Sequence, residues 1–154
     1  MHTPEISIAP EDPRQPNVRQ LIDLSDAQMQ ALYPPDSNHL AAVETLADAD
    51  TVFLVARRHG EVLGSIAFRL IAPGHAEMKR MFVRADARGH GLGRRLLEAL
   101  EDAARDWRIA RISLETGIRQ PEAIGLYRAA GYQECPPFGD YAPDPLSLFM
   151  TKRL

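Results

Sequence analysis

Three glycines at alternate positions, Gly89, Gly91 and Gly93, stand between a series of β-type segments and a leucine-rich helical pattern, in the stretch "VRADARGHGLGRRLL". Ordered glycine costs backbone entropy, and a helix start does not require it. The spacing is explained if something has to come close to the backbone just ahead of the helix. A helix N-terminus already offers four N–H groups without partners and the positive end of the peptide dipole. Removing Cβ atoms there, and adding Arg88 and Arg94, makes a cradle for an anion. The plain alternative is a tight turn that binds nothing.

What flanks the glycines narrows the fold. "TVFLVARR", "EVLGSIAFRLI" and "HAEMKRMFV" follow one another with breaks at His59-Gly60 and Pro73-Gly74, which predicts three consecutive strands in an antiparallel meander. Upstream, "EISIA" reads as a short strand closed by Pro10 and Pro13. Residues 15–32 carry Val18, Leu21, Ile22, Met29 and Leu32 at helical spacing, stopped by Pro34 and Pro35. "SNHLAAVETLADAD" reads as a second helix, with Ser37 or Asn38 as N-cap. Downstream, Leu92, Leu96, Leu97, Leu100 and Ala103 or Ala104 line one face of a helix ending near Trp107. "ARISLET" is then a strand and "PEAIGLYRAAGY" a helix, with Pro121 suited to its first turn and Gly131 to its C-terminal cap. "YQECPPF" and "LSLFMTKRL" read as the last two strands, and Pro136, Pro137, Pro143 and Pro145 mark a long loop between them. This order predicts an α+β fold over a single domain, residues 1–154: a mixed, mostly antiparallel sheet, helices on both faces, and one strand–helix–strand unit at its centre. A hydrophobic content of 45% over 154 residues suits one core of that size.

Several function classes fall away on composition. The net charge is −3 and aromatics are 6%, so neither a basic footprint nor a base-stacking surface points to nucleic acid. The N-terminus lacks an apolar leader core and no apolar run approaches a membrane span, so a soluble cytoplasmic protein without membrane contact is expected. Cys135 is the sole cysteine, which rules out an intrachain disulfide. It precedes two prolines with no adjacent histidine, and reads as a small buried hydrophobe instead of a nucleophile. His2, His39, His59, His75 and His90 are scattered, and no metal is expected.

A Walker phosphate loop is excluded, because no G-x-x-x-x-G-K-[ST] occurs. A dinucleotide turn of the Rossmann type fits less well. Arg94 occupies the place of its third glycine, and Gly89 lies several residues beyond the strand end. The third reading is a diphosphate on a long flexible carrier. Arg88-x-x-Gly91-x-Gly93, soon after "MKRMFV", resembles the acetyl-CoA loop of the GNAT acyltransferase family. "QPEAIGLYRAAGY" resembles that family's N-x-x-A-x-x-L-Y-x-x-x-G-F helix, and the two motifs come in the family's order about thirty residues apart. The resemblance extends over nearly the whole chain, since the order of strands and helices also fits. A subset of bacterial members shares "KRMFV" and "LETG".

The resemblance implies specific roles. Backbone amides across Arg88, Gly89, His90, Gly91, Leu92, Gly93 and Arg94 would hold the pyrophosphate of acetyl-CoA, with the His90 side chain turned to solvent. The backbone of Met81, Phe82 and Val83 would pair with the pantetheine arm where two strands splay apart, and Gln120 and Ala123 would lie beside that arm. Gln120 replaces the motif's asparagine and is one methylene longer. Tyr127, at the "LY" position, would protonate the departing thiolate, while a backbone N–H on the splayed strand polarises the thioester carbonyl. Glu77 stands where some members carry a glutamate base. Strand alternation would put Glu77, Lys79, Met81 and Val83 on one face. A free carboxylate is a weak base towards an ammonium, so the role needs burial or a relaying water. An ion pair with Lys79 or Arg80 is the competing reading, as core packing is for Tyr127.

The acceptor side is expected at "LYPPDSNHL", with Asp36, Ser37, Asn38 and His39, and at the proline loop carrying Tyr141. Lys79, Arg80 and Arg119 flank the expected cleft and would suit an acceptor carrying a carboxylate, such as a small amino acid. Glu115 and Thr116 read as capping or loop-fixing residues. The expected activity is direct acetyl transfer to a small-molecule amine. A non-catalytic acyl-CoA-binding or sensor module and a protein-lysine acetyltransferase are the alternatives. Homodimers are common in the family.

Overall fold

The computed structural model describes residues 5–37 and 42–154; Asn38 and His39 lie outside the described residues. Seven strands form one sheet: β1 (Ser7–Pro10), β2 (Thr51–Arg58), β3 (Glu61–Ala72), β4 (His75–Val83), β5 (Arg111–Gly117), β6 (Gln133–Glu134) and β7 (Ser147–Arg153), in the spatial order β1-β2-β3-β4-β5-β7-β6. Every neighbouring pair is antiparallel except β4 and β5, which run parallel around the strand–helix–strand unit anticipated from the sequence. Two helices, α1 (Pro16–Leu32) and α2 (Val43–Leu46), precede β2, whereas α3 (Leu92–Asp106) precedes β5 and α4 (Pro121–Ala129) follows it.

The two faces of the sheet carry separate cores. Val18, Leu21 and Ile22 of α1 pack with Val43, Leu46, Phe53, Val55 and Ala67 on one face. On the other, the leucine stripe of α3 (Leu92, Leu96, Leu97 and Leu100) packs with Ile66, Phe68, Met78, Ile112, Leu114 and Tyr127. Burying a leucine side chain is worth about 1.5–3 kcal/mol, so this stripe is a principal anchor of the fold. Pro121 stands at the start of α4 and Gly131, with φ +97°, just past its end, as their chemistry requires.

Two elements differ from the expectation. The second helix is only Val43–Leu46, with Ala42 as its N-cap and no capping side chain. Ser37 instead closes a 3-10 turn, Pro35–Ser37, through its N–H to Pro34 O at 3.0 Å. At the other end, the Asp48 carboxylate accepts the Asp50 N–H and the Thr51 hydroxyl, both at 3.0 Å, and turns the chain into β2. The strand expected over "YQECPPF" pairs only at Gln133 and Glu134, with one further bond from Cys135 N–H to Phe149 O. Pro136 and Pro137 have no N–H to continue it.

The geometry that matters most lies in β4. Its parallel pairing with β5 stops at Met78 opposite Leu114, while β4 continues to Val83 and β5 to Gly117. Between Lys79 and Phe82, two residues of β4 oppose the single Ile66 of β3, a β-bulge with Arg80 at φ +57°. The Ser65 hydroxyl donates to the Arg80 carbonyl at 2.8 Å and satisfies it. The extra residue shifts the alternation by one position. Glu77 and Lys79 stay on the face of α1, but Met81 and Val83 pack with the α3 core and Phe82 with the α1 core. The single face expected for Glu77, Lys79, Met81 and Val83 is therefore wrong, because alternation resets at the bulge.

Candidate active site

Where β4 and β5 separate, a cleft opens. It is lined by Ser25, Met29, Tyr33 and Ser37 from the α1 side, by Glu77 to Met81 of β4, by Leu114 to Gly117 of β5, and by Gln120, Tyr127 and Tyr141. Strand edges left without a ladder partner here can be completed by an extended, amide-bearing molecule.

Beside it, the loop before α3 has the form of an anion cradle. Gly89 and Gly91 have φ +86° and +74°, and nothing lies within 4 Å of where a Cβ would stand on either. Gly91 caps the helix, whose Arg95 N–H bonds to Gly91 O at 3.2 Å; the amides ahead of that bond lack helical partners. Gly93 differs from the other two. A Cβ there would press on Leu126 and Met81 at 3.1 Å, so its bareness lets α3 sit tightly against α4 and β4. Leu92 belongs to the core, and His90 is exposed. Arg88 is held by Val83 O and by Gln28 Oε1, each at 2.9 Å, with its guanidinium 5.6 Å above the Phe82 ring. Arg94 projects outward and pairs with Glu98 at 3.2 Å. Ala123 packs at the edge of the α3 core.

Tyr127 is buried, 5% exposed, yet lines the cleft. Its ring packs edge-on to Tyr132, with centroids 6.0 Å apart, and its hydroxyl makes no hydrogen bond among the described residues. Desolvation, and after it the charge of Glu115, holds the phenol well above the ordinary tyrosine range. Glu77 is also buried, 6% exposed. Its Oε2 accepts the Tyr141 hydroxyl and lies 3.3 Å from Lys79 Nζ. Burial foremost, and then the bond to Glu77, pushes the Tyr141 phenol upward as well.

The expected acceptor residues divide. Tyr141 and Lys79 reach the cleft together, with the ammonium 6.0 Å from the ring centroid. Arg80 is directed to Asp26 of α1, in an ion pair. Arg119 is exposed, bonds to Leu32 O and lies 5.8 Å over the Tyr33 ring. Ser37 lines the cleft and Asp36 lies in the 3-10 turn. Glu115 accepts the Ser147 hydroxyl at 2.7 Å and also lines the cleft. Burial raises the Cys135 thiol, which disfavours its thiolate.

Sequence reading missed Tyr33. Its hydroxyl lies 3.0 Å from Arg119 N and 3.3 Å from Gln120 Oε1, which also accepts the Gly117 N–H at 3.3 Å. The available signal was an aromatic directly ahead of the proline pair, at the end of a helix expected to cover the acceptor side.

Comparisons with known proteins bear out the fold. Residues 18–132 match the family model described as acetyltransferase (GNAT) family. The chain is 50% identical to the IAA acetyltransferase of Azospirillum brasilense, over 98% of this chain and 99% of that protein. It is 33% identical to the uncharacterized N-acetyltransferase YsnE of Bacillus subtilis, over 88% and 93%. A crystal structure from Klebsiella pneumoniae, assigned as an acyl-CoA N-acyltransferase, superposes with a TM-score of 0.84 at 37% identity, covering 97% of each chain. These relatives do not favour a non-catalytic module or a protein-lysine enzyme. No described helix is long and apolar enough to cross a membrane.

Proposed function

Since this chain belongs to the GNAT acetyltransferase family and is an acetyl-CoA-dependent N-acetyltransferase, we propose that the cleft between β4 and β5 is its active site, with Tyr127 as acid and Glu77 as base. The Tyr127 hydroxyl carries this reading. It has no hydrogen-bond partner among the described residues while its residue lines the cleft, so its proton is available to a ligand atom arriving there. Its raised pKa keeps it a proton donor throughout the neutral range.

The residues present fit acetyl-CoA. The open glycine loop and the amides at the start of α3 suit its pyrophosphate, and the unpaired edge of β4 suits its pantetheine arm. Bound there, it supplies the activated acetyl group. Glu77, fixed by Tyr141 and Lys79, takes the proton of the incoming ammonium directly or through water. Attack of the neutral amine forms a nitrogen–carbon bond and an oxyanion. Collapse then breaks the carbon–sulfur bond as Tyr127 gives its proton to the departing sulfur, and the extra proton on the new amide nitrogen returns to the tyrosinate. Backbone N–H groups of the splayed strand stabilise the oxyanion between these steps.

The acceptor is a small molecule carrying a carboxylate. Lys79 in the cleft supports this, because charge-assisted hydrogen bonds are about twice as strong as neutral ones. IAA, named in the Azospirillum relative, heads the acceptors to be tried. Thiol release from acetyl-CoA should be followed with IAA and with amino acids, their methyl esters and their decarboxylated amines. Higher kcat/KM for carboxylate-bearing acceptors is expected. Equal or faster reaction of the esters and amines would overturn the assignment of a carboxylate-bearing acceptor.

A further inference from the structure

The hydrogen-bond network at the end of α1 points to a positioning residue outside the groups already assigned. Tyr33 follows the last turn of α1 in extended conformation and is 6% exposed, at the wall of the cleft. Its oxygen accepts the Arg119 N–H at 3.0 Å, which leaves the phenolic hydrogen to be donated to Gln120 Oε1 at 3.3 Å. Gln120 Oε1 receives a second donor, the Gly117 N–H, also at 3.3 Å. Two donors converging on one atom assign it as the carboxamide oxygen, since an NH2 group there would face both hydrogens. The opposite end of the amide, Nε2, makes no hydrogen bond among the described residues, and Gln120 lines the cleft.

The contact is shaped as well as bonded. A Cβ on Gly117 would lie 1.7 Å from the Tyr33 hydroxyl and 2.0 Å from its Cζ, so the ring tip rests on the bare backbone of the β5–α4 turn. The Arg119 guanidinium covers the other side of the ring at 5.8 Å. Four residues, Gly117, Arg119, Gln120 and Tyr33, therefore join the acceptor-side helix to the turn that starts the helix bearing Tyr127.

We infer that Tyr33 is a positioning residue for the pantetheine arm. By holding the carboxamide oxygen of Gln120, it presents the Nε2–H donors to a carbonyl of the arm and fixes the end of the cleft. The longer glutamine is what lets the side chain reach Tyr33 and Gly117 while still facing the ligand. This inference rests on the reading that CoA occupies the cleft.

The test is a double-mutant cycle on CoA affinity, measured by titration calorimetry with CoA alone, so that no acceptor need be known. A hydrogen bond contributes about 0.5–1.5 kcal/mol, and Tyr33→Phe is therefore expected to raise Kd by roughly two- to twelvefold. Gly117→Ala, which must displace the ring tip, should do the same. Neither change should weaken binding further in a Gln120→Ala background, because residues acting through one group are not additive. Three results would overturn the proposal: a lowered melting temperature with unchanged Kd, an equal loss in the Gln120→Ala background, or full affinity in Gly117→Ala. Wild-type protein that binds no CoA would overturn the underlying reading instead, and this inference with it.

Discussion

Tyr141 and Glu77, 64 positions apart in sequence, are joined by a hydrogen bond from the phenol to the carboxylate Oε2. The proline loop between β6 and β7 thereby reaches the residue at the floor of the cleft. Phe138 and Phe149 hold the Tyr141 ring edge-on, at 5.3 and 5.4 Å between centroids, so the hydroxyl is aimed by packing. Hydrogen bonds to charged groups contribute about 1.5–3 kcal/mol. Tyr141→Phe keeps the ring and should lower kcat/KM about tenfold, with little change in melting temperature. Activity within twofold of wild type would remove the loop from the chemistry.

Tyr127→Phe separates acid chemistry from packing at one position. The ring stays in the α3 core while the proton is lost. Steady-state kinetics should show kcat reduced about a hundredfold or more, as a positioned acid contributes, with CoA affinity little changed. Because desolvation and Glu115 raise the phenol, the wild-type acid stays protonated past pH 10, and no loss of kcat below that pH should come from it. A variant with normal kcat, where chemistry limits the rate, would leave Tyr127 a core residue alone.

Gly91→Val tests the anion cradle. Space for the side chain exists, but φ +74° costs a β-branched residue about 1–2 kcal/mol or more, so a melting temperature lower by several degrees is expected. The new side chain should also abolish stabilisation by acetyl-CoA, which at one hundred times Kd contributes about 2.7 kcal/mol to wild type. A variant that acetyl-CoA still stabilises fully would place the pyrophosphate elsewhere.

Alkali should unfold the protein through its buried phenols. Burial first and Glu115 second raise Tyr127; burial first and Glu101 second raise Tyr132, whose hydroxyl donates to Glu101 Oε2 at 3.1 Å. A raised folded-state pKa gives stability that is complete below the unfolded value, about 10, and declines above it. Each such tyrosine should contribute a slope of about 1.4 kcal/mol per pH unit once the unfolded chain ionises. Urea titrations between pH 9 and 11 read this slope, and Tyr132→Phe should make it shallower. An unchanged slope would show that Tyr132 ionises as easily folded as unfolded.

What the sequence made legible was local. Leucines at helical spacing, proline at the start of α4, Gly131 after its end and glycines ahead of α3 each act through their own few residues, and the structure keeps them all. What it concealed depends on partners far along the chain. The Tyr33 contacts span 86 and 87 positions, and no periodicity marks them. The second helix shrank because Ser37 joined a 3-10 turn and Asp48 bonded to Asp50 and Thr51, two local competitors that helical spacing does not weigh. At Glu77 the residue was readable but its setting was not, since Tyr141 arrives from a loop of irregular structure.

The bulge at Arg80 gives β4 two phases. Odd-numbered residues up to Lys79 belong to one wall of the protein, and odd-numbered residues from Met81 onward to the other. Deleting Arg80 would leave Met81, Phe82 and Val83 on the walls they now occupy, because Met81 opposite Ile66 would continue the ladder directly from Lys79; what would be lost is the bend of the strand and the ion pair with Asp26. The extra residue therefore sets the course of β4 beside the cleft, while the facing of its side chains would survive without it.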